Sequence, residues 1–160
     1  MRHSERWFAM QSKHIYTRQA PEPGAYSQGI LVDPLKHHIL FLAGQTGNVP
    51  DLPHQPVAKG GVAGQTWQAL RNILAVVRAA GGSLCSLVSL DVFLKDGGSA
   101  EARRADREAF NTAYKEFFAD RGITEVLPAR TFVWVPEVPL EFPAEDTLVE
   151  IRAIAAIPRP

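Results

Sequence analysis

Apolar and polar residues follow two periods along this 160-residue chain. Between Gly61 and Ala80, the residues Trp67, Leu70, Ile73, Leu74 and Val77 recur at helical spacing, and Gly81-Gly82 follows as a terminator. That pattern predicts an amphipathic helix over 61–80. A second helix is predicted over 99–120, with Ser99 as its N-cap and Phe110, Ala113, Tyr114, Phe117 and Phe118 as its apolar stripe. Shorter runs read as strands: 26–33 (YSQGILVD), 38–43 (HILFLA), 86–94 (SLVSLDVFL), 130–135 within LPARTFVWV, and 148–157 (LVEIRAIAAI). Asp33-Pro34 and the polar residues after it predict a turn, and so a hairpin, between the first two strands. Residues 47–60 read as a loop rich in proline and glycine.

The order β-β-α-β-α-β-β predicts an α+β fold, a mixed β-sheet with two helices on one face. Several strands carry apolar residues toward the other face as well, and no third helix is available to cover it. Self-association is the economical solution.

Composition narrows the picture. The length fits one domain with a substantial core. Formal net charge is zero and no block of lysine or arginine stands out, which argues against nucleic acid or an anionic membrane as the main partner. The single cysteine, Cys85, excludes an intrachain disulfide and a cysteine-based zinc site, and a reducing, cytoplasmic setting is expected. The stretch up to Gln19 holds no apolar run suited to a signal peptide, and the longest aliphatic run, Ile73–Val77, stops at Arg78. Residues 1–14 are expected to be loosely held unless a partner covers Trp7 and Phe8.

Two charges fall on otherwise apolar strands. Arg130 opens a strand read as buried on both sides, and Glu150 interrupts LVEIRAI. An unpaired guanidinium in such a place costs several kcal/mol in order of magnitude. If 130–135 and 148–157 form a hairpin about a midpoint near Leu140, the two charges are neighbours. Two readings then stand side by side. One is a cross-strand ion pair. The other is a pocket in which the arginine fork binds a carboxylate and the glutamate holds or deprotonates a water. The five histidines lie in termini, turns and loops, with no i,i+4 pair, so solvated roles and no metal are expected. Cys85 has no activating base nearby in sequence and reads as a structural thiol. Gly44-Gln45 is either a simple bend or a place where a ligand approaches the backbone.

Taken in order, these segments resemble the Rid family of enamine/imine deaminases (YjgF-like, often labelled endoribonuclease L-PSP). The matching pieces are AYSQG at 25–29, FLAGQ at 41–45, GQTWQALRNILAVVRAAGGSL at 64–84, VFLKD at 92–96, FNTAYKEFF at 110–118, PAR at 128–130 and VEIRAIA at 149–155. The resemblance covers about residues 20–157, leaving 1–15 as an N-terminal extension before a single Rid-like domain at 16–160. It implies a chorismate-mutase-like fold, a homotrimer with pockets at the subunit interfaces, and no cofactor. Carried over by position, Arg130 would bind the substrate carboxylate and Glu150 would position the attacking water. Tyr26, Gly44, Asn111 and Phe132 would line the pocket. The implied reaction is hydrolysis of 2-imino acids, formed from 2-aminoacrylate-type enamines, to 2-keto acids and ammonia. The sequence departs from the family pattern at Ala43, where serine is frequent, and at Phe132, where many members have cysteine. The segments 97–107 and 136–147 look longer than usual. These departures keep a second reading open, a non-catalytic trimeric binder of small carboxylates. The ribonuclease label finds no support in the charge pattern.

Overall fold

In the computed structural model, residues 12–21, 24–50, 52–54, 56–125, 127–138 and 147–160 are described. Trp7, Phe8, most of the proline-rich connection and the supposed hairpin midpoint at Leu140 lie outside them. Seven strands and two long helices follow one another among the described residues. They are β1 (Ser12–Ile15), β2 (Gly29–Val32), β3 (His37–Phe41), β4 (Gln45–Thr46), α1 (Gly61–Ala79), β5 (Leu87–Lys95), α2 (Ala100–Ala119), β6 (Ala129–Val135) and β7 (Val149–Pro158). Among the described residues, no helix is long and apolar enough to cross a membrane.

The main sheet has the order β3-β7-β5-β6, with β4 added against β7. β7 runs antiparallel to both β3 and β5, whereas β5 and β6 are parallel. The parallel pair is possible because α2 supplies the crossover between its two strands. Both helices pack on one face. From that side Leu90, Val92, Leu94, Val149, Ile151, Ala153 and Ala155 meet Leu70, Ile73 and Val77 of α1 and Phe110, Tyr114 and Phe117 of α2, all of them buried. Trp67 sets its edge against Phe117 at 5.2 Å and so joins the two helices. Ser99 caps α2 as its sequence position predicts, its Oγ accepting from the Ala102 amide at 3.0 Å.

Among the described residues, no element packs on the opposite face. Ile39, Phe41 and Val133 are exposed there, Phe41 at 75%. The cross-strand pair Asp91–Arg152 lies at the centre of that face, 2.7 Å apart.

Three expectations need correction. The turn after Asp33 forms, with the Lys36 amide on the Asp33 carbonyl at 3.2 Å, but no hairpin follows it. β2 pairs with β1 in a separate two-stranded sheet, and β3 pairs with β7, which is twice its length and buried against the helices. Residues 12–14, expected to be loose, belong to β1, the strand that makes this possible. Finally, β6 and β7 are not a hairpin, because β5 lies between them. As the edge strand, β6 is covered only on its helix side, and Thr131 and Val133 are exposed on the other.

Candidate functional site

The placement of β5 separates the two charges that the sequence brought together. Arg130 is in register with Leu90 and so faces the helices, whereas Glu150 is in register with Phe93 and points to the open face. Two strand spacings, on the order of 10 Å, and the thickness of the sheet lie between them. A cross-strand ion pair within one protomer is therefore excluded.

Arg130 instead enters a box built by α2. Phe110 and Tyr114 stand one helical turn apart with stacked rings, 5.9 Å between centroids. The guanidinium carbon lies 4.7 Å from the Tyr114 centroid and 5.3 Å from that of Phe110, and the half-buried Tyr26 closes a third side at 5.7 Å. Such ring faces attract the cation. Nη2 donates to Oδ1 of Asn111 at 2.8 Å. Nη1 is buried with no partner, and none of the ion pairs among the described residues includes Arg130. Desolvation by burial pulls its pKa down, against the opposing pull of Tyr114 and Tyr26, with Arg107 adding a smaller downward effect. The group remains a cation at neutral pH.

Phe132, next on the same face of β6, sets its ring edge-on to Phe110 at 5.5 Å and to Trp134 at 5.3 Å. It belongs to the aromatic cluster behind Arg130.

Tyr26 is held by its neighbour. Ser27 is buried, and its Oγ donates to the Leu127 carbonyl at 2.5 Å. With that proton committed, Tyr16 Oη at 2.9 Å and His14 Nδ1 at 2.7 Å must both donate to the same oxygen. β1, the Tyr26 segment and the approach to Arg130 thus meet at one hydroxyl. Partial burial holds the His14 pKa below its ordinary value. His37 is also buried, with Nδ1 2.8 Å from the Asp33 carbonyl oxygen. Neither histidine has the solvated role expected of it. Cys85 is exposed, and partial desolvation raises its thiol pKa against a hydrogen bond with Ser83.

Glu150 has its own neighbour in Gly44. A Cβ built on Gly44 would overlap the Glu150 carboxylate, 2.6 Å from its Cδ. The glycine therefore leaves the space that the carboxylate occupies. One protomer carries two separate groupings: Arg130 with Asn111, Tyr26, Phe110 and Tyr114, and Glu150 with Gly44. A cavity of about 1180 Å³ lies between the 16–28 segment and the end of α2, and Tyr26 lines it while Arg130 does not. The sequence reading missed the cage role of Phe110 and Tyr114. Their signal was present as an i,i+4 aromatic pair flanking Asn111, but it was absorbed into the core stripe.

Residues 17–157 match the family model described as Endoribonuclease L-PSP. The chain is 37% identical over 142 residues to a RutC family protein of Pyrococcus horikoshii, covering 88% of this chain and 94% of that one. It is 34% identical to the 2-iminobutanoate/2-iminopropanoate deaminase of Escherichia coli K12, over 90% of this chain and 97% of the relative. Among solved structures it resembles E. coli TdcF with bound serine, with a TM-score of 0.60, 31% identity, and coverage of 90% and 98%.

Proposed function

This chain belongs to the endoribonuclease L-PSP (YjgF/RutC/Rid) family, and on that premise we propose that it is a hydrolase converting 2-imino acids to 2-keto acids and ammonia. One observation carries the reading. A desolvated guanidinium, held on one side by Asn111 and faced by three rings, keeps a buried donor that no carboxylate of the described residues uses. A substrate carboxylate is the partner that such a fork fits.

The reaction balances without a cofactor. Water adds to the C=N carbon while Glu150 takes one of its protons. Glu150 passes that proton to nitrogen to give a carbinolamine, the hydroxyl proton then moves to the same nitrogen, the C–N bond breaks, and ammonia leaves as the C=O bond forms. The carboxylate on Arg130 and the water on Glu150 fix the geometry, and imines of this kind need little more than orientation. Because the Arg130 and Glu150 groupings sit on opposite faces of one sheet, we take each as a half-site and place a working site where the Arg130 side of one copy meets the Glu150 side of another, in a homotrimer. The uncovered apolar face of the sheet supports such an assembly.

The test is a coupled assay. An amino acid oxidase generates 2-imino acids in the presence of semicarbazide, and semicarbazone reports the free imine. Wild type is expected to suppress the signal and Arg130→Ala to lose that effect by about a hundredfold or more. Equal signals with and without wild-type protein rule the deaminase reading out. Ala43 and the Phe132 ring favour a second reading, a trimer that binds small carboxylates without turning them over. Tight 2-keto acid binding with no imine hydrolysis selects it.

A further inference from the structure

Beside the orphaned Nη1 of Arg130 sits a second orphan. Tyr114 is fully buried, and its hydroxyl has no hydrogen-bond partner. Burial raises its pKa well above the ordinary tyrosine value, so the hydroxyl keeps its proton as a donor at any physiological pH. A tyrosine used only as core filler loses its hydroxyl hydrogen bond for nothing, and phenylalanine would fill the same space without that cost. Phe110, Phe117 and Phe118 show that this face of α2 does use phenylalanine where only packing is needed. Tyr114 is also the ring nearest the guanidinium.

We propose that Tyr114 is a substrate-specificity residue, its hydroxyl and Nη1 of Arg130 forming a donor pair for a single carboxylate. This rests on the deaminase reading for the identity of the ligand and adds a residue to it. One carboxylate has two oxygens and about four acceptor positions, enough to satisfy both donors at once. A neutral carbonyl oxygen offers two acceptor positions but no charge, so its bonds to the same donors lack the charge assistance a carboxylate gives and the pair discriminates against uncharged imines. Both donors are closed off from solvent in the protomer. Of the three rings around the fork, those of Phe110 and Tyr114 are locked in the core, whereas Tyr26 is half-buried on a bend. Displacement of Tyr26 is the route by which the ligand enters.

The experiment measures 2-oxobutanoate binding to the full chain by calorimetry, together with the ligand-free melting temperature, for wild type, Tyr114→Phe, Arg130→Lys and the double variant. Tyr114→Phe is expected to weaken binding about tenfold, while its ligand-free melting temperature stays equal to wild type or rises. In the Arg130→Lys background the same change is expected to have a smaller effect, because the two donors share one ligand. Unaltered 2-oxobutanoate binding by Tyr114→Phe overturns the proposal, and so does a loss of binding that accompanies a fall in melting temperature. Imine turnover is read separately on the same samples. Wild type that binds but does not hydrolyse refutes the deaminase reading, while a tenfold effect of Tyr114→Phe on binding still upholds the donor pair.

Discussion

At the scale of single residues, Gly44 and Glu150 offer the sharpest test of which atoms do the chemistry. A methyl group at position 44 would meet the end of the Glu150 side chain and no backbone atom within the same range. A carboxylate at the end of a flexible chain can swing aside, so Gly44→Ala is expected to fold with a near-native melting temperature. Imine hydrolysis should nevertheless fall on the order of tenfold to a hundredfold, since a small misplacement of the carboxylate proposed to hold the water is enough. 2-Keto acid binding should persist, because Arg130 is untouched. Full activity in Gly44→Ala would remove Glu150 from the mechanism. Arg130 and Glu150 were both legible in the sequence, as charges that apolar strands do not tolerate idly. Their relation was not. Symmetry about Leu140 suggested proximity, and the strand that intervenes enters from elsewhere in the chain. Tyr114 was legible only as an apolar position, because spacing records that a side chain is buried and not whether its hydroxyl finds a partner.

At the scale of elements, the two-stranded sheet of β1 and β2 is fastened to the body through Ser27. Its hydroxyl serves Leu127, His14 and Tyr16 together, and its amide reaches the Pro128 carbonyl at 3.4 Å. Ser27→Ala leaves those partners short of a hydrogen bond in a part-buried place and is expected to cost about 1–3 kcal/mol. Amide hydrogen exchange should quicken first in Ser12–Ile15 and Gly29–Val32, ahead of α1 and α2. Uniform acceleration across the protein would contradict the fastening role. α1, α2, β5 and β7 were read from periodicity to within a residue or so at their ends, since each buries one long regular face. β1 and β4 escaped the reading. Four residues of SKHI and two of QT carry too little pattern to outweigh their polar content, and their pairing partners are set by the tertiary fold.

At the scale of the whole molecule, the separation of the half-sites predicts complementation. Arg130→Ala and Glu150→Gln chains are each expected to be inactive alone. Mixed in equal amounts and assembled together, they should regain about a quarter of wild-type activity, the chance that an intact Arg130 side meets an intact Glu150 side around a ring. Mixtures as inactive as their components would show that both halves must come from one chain. The uncovered face was legible as an excess of apolar strand residues over the helices available to cover them. What the sequence does not display is the Asp91–Arg152 pair across that face, which only the β5–β7 register creates.

The strand order has a consequence for how the protein comes into being. β7 is made after both β3 and β5, yet it stands between them, and among the described residues β3 has no other partner in the sheet. A growing chain can form α1, α2 and the β5–β6 pair, but the sheet remains in two pieces until Val149–Pro158 has been made. Closure is then a late event built on contacts between distant parts of the chain, the kind that form slowly. During that interval the apolar edges of β3 and β5 are unpaired, and this is when a chaperone would have most to do.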